Sequence, residues 1–149
     1  MKKFSFSLDK VLDYKQQILE SVQAEHAAAI AEVQRQEEVL QEAWHGYRAY
    51  NEEFCESKKT GLLITEALFY ESRLRAMEAK IQQETKQLEK LREIEEQKRS
   101  VVIEAKKETA SLEKLKEKKL GLYQKAVQKS EEAFIEEFVS NSRAFTHSA

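Results

Sequence analysis

The side chains of this sequence best suited to chemistry are Glu42, His45, His26 and Cys55. Glu42 and His45 have the Glu-x-x-His spacing with which di-iron helix bundles bind metal. Such a site needs two copies of the motif and two further carboxylates on facing helices, and only one copy is present here. We therefore predict no metal site. Cys55 cannot form an internal disulfide because it is the only cysteine, and a reducing compartment is its simplest setting.

Motifs of enzymes and cofactor sites do not occur in the sequence. It contains no glycine-rich phosphate loop, no Cys-x-x-Cys and no Gly-x-Ser-x-Gly, the patterns that place phosphates, redox thiols and nucleophilic serines. We predict no catalytic residues, no cofactor and no enzymatic activity. The function must then be inferred from the helices that the sequence predicts and from their surfaces.

Composition indicates long helices. The 149 residues include no proline, three glycines, 25 Lys and Arg, and 27 Asp and Glu, a pattern typical of coiled coils. The net charge of −2 predicts neither nucleic acid nor anionic lipid as a partner. No apolar run is long enough for a transmembrane helix, and none follows Met1-Lys2-Lys3 as in a signal peptide. We expect a cytoplasmic protein without direct membrane insertion.

A first helix is predicted by an apolar stripe that recurs in alternating steps of four and three residues. This 3.5-residue period is that of a coiled-coil seam, the stripe on which two helices pack. All of its positions except Lys15, His26 and Gln36 are apolar. His26 is interpreted as a packed polar residue that fixes the register of the helices rather than as a metal ligand. The seam consists of Leu8, Leu12, Lys15, Leu19, Val22, His26, Ala29, Val33, Gln36, Leu40, Ala43, Tyr47, Tyr50 and Phe54.

A second helix shows the same period with one interruption. Its first part is Leu63, Ala67, Tyr70, Leu74, Met77, Ile81, Glu84, Leu88 and Leu91. The next apolar residue, Ile94, follows after three residues instead of four, which predicts a stammer that overwinds the supercoil locally. From there the stripe continues through Ile94, Lys98, Val101, Ala105, Glu108, Leu112, Leu115, Lys119, Leu122 and Ala126.

These patterns predict an all-α fold, a long two-helix antiparallel coiled-coil hairpin with unequal arms that forms one domain over residues 1–149. Gly61 is the only strong helix breaker near the turn. The expected boundaries are helix 1 at about 8–55, the turn at about 56–65, helix 2 at about 66–140 and a frayed tail at 141–149.

The longer second helix is expected to extend beyond its partner. With the turn centred near residue 59, residue 8 would lie opposite about residue 110, so that the stripe from Leu112 to Phe138 has no partner. Residues 114–129 also hold six lysines and one acid, Glu117. This overhang is either a binding surface or a frayed end. Phe4 and Phe6 either pack on the neighbouring helix or belong to the same partner surface.

The N-terminus carries a resemblance to a known family. Phe4-Ser-Phe6-Ser-Leu8-Asp9-Lys10-Val11-Leu12 resembles the start of FliJ, the small flagellar type III export protein. Chain length, the aromatic stretch Trp44–Tyr50 and the segment from Leu112 to Tyr123 agree with that resemblance, which covers nearly the whole chain.

The resemblance implies a function. FliJ proteins are soluble parts of the flagellar export apparatus, and their hairpin is similar to the gamma stalk of rotary ATPases. Their termini enter the ring of the export ATPase and promote its hexamerisation. The part near the turn contacts the cytoplasmic domain of the membrane export gate, which would place this chain at the inner face of the membrane. Family members also escort export chaperones.

By position along the hairpin, the resemblance assigns two sets of residues to these partners. Gly46 and Arg73 depart from the family's aromatic pattern in the gate set. The residues expected to contact the ATPase ring are Phe4, Phe6, Leu115, Lys118, Lys119, Leu122 and Lys125. Those expected to contact the export gate are Leu40, Ala43, Tyr47, Tyr50, Tyr70, Met77 and Ile81.

Three other functions fit the sequence. The first is the equivalent stalk of a virulence type III secretion system or of a rotary V/F-type ATPase. The second is a structural coiled coil or homodimer without an ATPase partner. The third is an escort of chaperones.

Overall fold

A computed structural model describes residues 2–147 of the chain. Its two helices are α1, Asp9–Thr60, and α2, Ile64–His147. They pack against each other, and the described residues contain no strand, which confirms the predicted all-α helical hairpin. The arms are unequal as expected, with 52 residues in α1 and 84 in α2.

The turn is shorter and later than predicted. Helix α1 continues past residue 55 to Thr60, and α2 already begins at Ile64. The segment Glu56–Thr60 contains no glycine or proline, and Lys58 and Lys59 favour a helix C-terminus through the helix dipole. The helix ends when Gly61 takes a positive φ of 100°, the left-handed conformation in which glycine ends many helices.

Helix α2 also extends further than predicted. Residues 141–147, expected to belong to a frayed tail, are helical, whereas residues 148 and 149 of that tail lie outside the described residues. After Gly121 the sequence has no glycine or proline to stop a helix. The Thr146 hydroxyl also donates to the carbonyls of Ser142 and Arg143, at 3.1 and 2.9 Å.

The described residues divide into two compact units. Residues 2–20 and 104–147 form one unit, and Ser21–Ile103 form the other. The single domain predicted over residues 1–149 stays a prediction.

The unit Ser21–Ile103 is an antiparallel pair of helical segments. Two salt bridges show that the segments run in opposite directions. Glu25 pairs with Lys98, and Glu37, which comes later in α1, pairs with Arg92, which comes earlier in α2. The predicted seam of α1 is confirmed here, since each of its positions from Val22 to Phe54 is buried or half-buried. The predicted seam of α2 is confirmed from Ala67 to Leu91.

Leu63 was wrongly predicted to lie in the seam. It belongs to the connection before α2 begins at Ile64, and it is exposed.

The predicted stammer is wrong. Ile94 and Val101 are 45% and 49% exposed, whereas Glu95 is half-buried and Val102 is 7% exposed. The step from Leu91 to the next seam position, Glu95, is therefore four residues, and the alternating steps of four and three continue as far as Lys116. The sequence-based prediction placed Ile94 in the seam because Ile94 is apolar and the neighbouring Glu95 is charged. Glu95 is accommodated in the seam because His26 faces it, with His26 Nε2 at 2.8 Å from Glu95 Oε1.

The unit of residues 2–20 and 104–147 packs the start of α1 on the second half of α2. Its buried side chains are Phe6, Leu12, Ala105 and Thr109, and the Thr109 hydroxyl donates to the Ala105 carbonyl at 2.8 Å. Polar pairs border this contact at Lys15–Glu108, 2.7 Å, and at Lys116–Asp9, 2.8 Å.

This pairing corrects the predicted start of the overhang. Asp9 pairs with Lys116, so residue 8 does not lie opposite residue 110. The shift follows from the turn at residues 61–63, which is later than the predicted centre near residue 59. In the described part of the chain, neither helix contains a segment apolar enough to span a membrane.

Candidate partner-binding surfaces

The N-terminal residues cover part of the predicted ATPase-binding surface. Phe6 is buried, with Lys119 Nζ at 5.9 Å from the centre of its ring. Phe4 lies against Tyr123, with ring centres 5.6 Å apart, and the Tyr123 hydroxyl donates to the Lys2 carbonyl. Of the two alternatives for Phe4 and Phe6, the structure supports packing on the neighbouring helix, so Phe6 is not accessible to a partner.

The other predicted ATPase contacts form an exposed face of α2. Leu115, Lys118, Leu122 and Lys125 follow one another in steps of three, four and three residues, which places them on one side of the helix. All four are exposed. They lie beside the seam rather than in it, because the seam in this region passes through Leu112, Lys116, Leu120 and Tyr123.

The terminal helical segment, residues 128–147 of α2, carries several exposed apolar side chains. Every residue from 128 to 146 is exposed, including Phe134 at 70% and Phe138 at 67%. Phe134 and Phe138 follow Val127 after seven and eleven residues, which places them on the helix face that carries the seam. The apolar stripe therefore continues beyond the residues that the N-terminus covers. Ile135 and Val139 widen it, although the predicted binding residues did not include them.

Near the turn, aromatic residues of both helices pack on one another. Tyr70 lies between Tyr50 and Phe54, with ring centres at 5.0 and 4.9 Å. The Arg73 guanidinium lies 5.2 Å from the centre of the Tyr50 ring. Tyr50 and Tyr70, both predicted to bind the gate, are thus brought together and are half-buried.

A groove beside this cluster is lined by Trp44, Tyr47, Ile81 and Thr85. The Tyr47 hydroxyl donates to Glu78 at 2.8 Å, and this hydrogen bond raises the pKa of Tyr47 above its usual value. Trp44 packs edge-on against Tyr47, with ring centres 5.9 Å apart, and remains exposed. Trp44 was not among the predicted gate residues, although the aromatic run around it in the sequence could have indicated it.

The remaining predicted gate residues offer less surface. Ile81 is buried, and Leu40, Ala43 and Met77 are half-buried in the seam. A partner on this face would contact the exposed parts of these half-buried side chains and the exposed Trp44. Four further apolar side chains, Leu63, Ile64, Leu68 and Phe69, are exposed where α2 begins, and the sequence-based assignment did not include them.

Polar side chains meet in the seam at His26 and Glu95. Glu95 accepts from His26 and, at 3.2 Å, from Arg99. The hydrogen bond from His26 and the charge of Arg99 lower the pKa of Glu95, against the opposing effect of burial. The predicted placement of His26 in the seam is confirmed. Among the described residues, no group of His, Cys, Asp and Glu is arranged to hold a metal ion.

Acid is expected to weaken the packing at Glu95. Because its pKa is lower in the folded chain than the usual value of about 4.3, the ionised form stabilises the fold. This stabilisation is complete above the usual value and is lost as the pH falls through the lowered folded value. The urea midpoint should therefore fall between about pH 6 and about pH 3 by less in Glu95→Gln than in the unchanged chain.

Glu96→Gln is the control for this prediction, because the Glu96 side chain is exposed and lies 3.7 Å from Arg99. It should show nearly the same acid sensitivity as the unchanged chain. An equal loss in all three proteins would show that Glu95 has no special part in the acid response.

Together, these features describe a coiled-coil protein of the helical-hairpin type with exposed apolar and charged faces. The chain matches the family model described as flagellar FliJ protein over residues 4–147, and it belongs to that family. The predicted resemblance is thereby confirmed. The family implies a flagellar export-related role as a structural or export component. Searches of the curated proteins and of the solved structures found no match to the chain.

Proposed function

We propose that this chain is a non-enzymatic stalk of the flagellar export apparatus. Its terminal residues would enter the ring of the export ATPase and promote the assembly of the hexamer. Its turn-proximal part would contact the cytoplasmic domain of the membrane export gate. The observation that carries this proposal is the terminal helical segment, whose apolar stripe is exposed along residues 128–146 in a member of the FliJ family.

The ATPase-binding surface in this proposal combines two faces of α2. One is the exposed row of Leu115, Lys118, Leu122 and Lys125, and the other is the stripe with Phe134 and Phe138. Phe4 and Phe6 lie on α2 next to the first face, Phe4 against Tyr123 and Phe6 beneath Lys119. Large apolar side chains exposed on a helix are typical of surfaces that a partner covers.

The gate-binding surface in this proposal is the groove at Trp44 and Tyr47 with the aromatic cluster of Tyr50 and Tyr70. Aromatic side chains are enriched at protein interfaces, because they bury a large area with little loss of conformational entropy. Leu40, Ala43, Met77 and Ile81 would form the floor of this surface, since they lie in the seam.

The same proposal covers location and further partners. The protein would be cytoplasmic and held at the inner face of the membrane through the export apparatus, without inserting into the membrane itself. Export chaperones are further partners in this proposal, and nucleic acid is not. Membership of the flagellar FliJ family favours a flagellar stalk over the equivalent stalk of a virulence system.

The test is the ATP hydrolysis rate of the cognate export ATPase at a concentration at which it is mostly monomeric. Addition of this protein should raise the rate several-fold and produce hexameric rings in electron micrographs. The variant Trp44→Ala should stimulate as well as the unchanged chain and should bind the purified gate domain less tightly. Failure of the unchanged chain to affect either rate or assembly would favour an escort or a purely structural coiled coil.

A further inference from the structure

The charge of α2 changes sign near residue 130. Residues 114–129 contain six lysines and one acid, Glu117. Residues 131–137 contain four glutamates and no cation: Glu131, Glu132, Glu136 and Glu137. The row from Leu115 to Lys125 and the stripe with Phe134 and Phe138 were both assigned above to the export ATPase. These two faces therefore carry opposite charges.

The four glutamates lie around the exposed apolar stripe. At 100° per residue, Glu137 lies on one side of Phe134 and Phe138, and Glu132 and Glu136 lie beyond Ile135 and Val139 on the other side. Glu131 lies within the stripe. The apolar surface thus has acidic groups along both of its edges.

Within the described residues, these glutamates form no salt bridge, and Glu132 accepts one hydrogen bond from Gln128 at 3.3 Å. Glu132 and Glu136 are four residues apart, a spacing at which like charges destabilise a helix. Apart from that hydrogen bond of Glu132, the acidic groups therefore contribute no ion pair to the stability of the described segment. A partner that carries cations at the matching positions would remove the repulsion and gain charge-assisted contacts.

We propose that residues 131–139 bind an apolar groove bordered by lysine and arginine. This inference rests on the proposed function, so the groove would belong to the export ATPase. The ATPase surface would then present acidic groups to residues 114–129 and basic groups to residues 131–137. Such a pattern specifies one direction of insertion, because a reversed helix would place like charges together.

The charges argue against other occupants of this stripe. In a second copy of the chain, the same stripe would bring glutamates next to glutamates, which costs binding energy. Anionic lipid or nucleic acid would meet the same repulsion. A basic-rimmed protein groove is the partner whose chemistry fits the four acids and the aromatic side chains together.

The test compares two triple charge reversals in the full chain. Glu132→Lys/Glu136→Lys/Glu137→Lys alters the edges of the stripe. The matched control, Glu89→Lys/Glu93→Lys/Glu104→Lys, makes the same change in net charge at exposed positions elsewhere on α2. Affinity for the purified export ATPase is measured by titration calorimetry at low and at physiological salt, with helix content checked by circular dichroism.

We expect the first variant to bind at least about tenfold more weakly than the unchanged chain, and the control to remain within about twofold. Equal affinity of the first variant and the unchanged chain would overturn this inference and leave the proposed function standing. Equal weakening of both variants would also overturn it, because the effect would then come from net charge alone. Failure of the unchanged chain to bind would overturn both proposals.

Discussion

A chain that ends at Val127 is expected to lose stimulation of the export ATPase and to keep its folding stability. Every residue from 128 to 146 is exposed, so the truncation removes no buried side chain from the rest of the protein. It does remove Phe134 and Phe138, which are 70% and 67% exposed and belong to the proposed ATPase contact. The measurements are the hydrolysis rate with saturating protein and the thermal unfolding midpoint by circular dichroism.

The full-length double variant Phe134→Ala/Phe138→Ala separates side-chain contacts from the mere length of the helix. It should stimulate at least about tenfold less well than the unchanged chain at equal concentration, because two large apolar contacts are lost. Full stimulation by the truncated chain would contradict the proposed role of the terminal helical segment. In that case the row from Leu115 to Lys125 would be sufficient for binding.

Leu88→Ala is expected to be strongly destabilising, whereas Ile94→Ala is not. Leu88 is buried in the seam, and the loss of such a side chain costs about 2–5 kcal/mol of unfolding free energy. Ile94 is 45% exposed, so its replacement should change the unfolding free energy by less than about 0.5 kcal/mol. Urea unfolding followed by circular dichroism measures both.

Two adjacent valines provide a matched control for this comparison. Val102→Ala should cost about 1–2 kcal/mol because Val102 is buried. Val101→Ala should be neutral or slightly stabilising, because Val101 is exposed and alanine has the higher helix propensity. The reverse order for the two valines would restore the stammer and place Ile94 in the seam.

Much of the fold was predictable because α1 has a nearly complete apolar seam. Only Lys15, His26 and Gln36 interrupt it, so every seam position in the helix was identified. In α2 the decisive residue was Glu95, whose place in the seam depends on His26 from the other helix. A count of apolar residues along one helix does not include such a cross-helix partner.

The binding surfaces were predictable in part. The exposure of the aromatic residues in the terminal helical segment was predictable, because the apolar stripe of α2 is longer than α1. The packing of the N-terminus on Tyr123 was not predictable, because it depends on how the residues before Asp9 continue along α2, with Phe4 against Tyr123. The end of α1 was underestimated because Glu56–Thr60 contains polar residues that favour helix as readily as a turn.

The polar pairs of the seam also select how the two helices align. His26 faces Glu95, and the Gln36 amide donates to both the side chain and the carbonyl of Glu84. A slip of one heptad would move His26 opposite Leu88 or Val102, and Gln36 opposite Leu91 or Met77. These half-buried polar groups would then lose their partners, at a cost below the value of about 1–3 kcal/mol for a fully buried unpaired group. The apolar residues alone would tolerate several alignments, and these polar residues leave one of them favoured during folding.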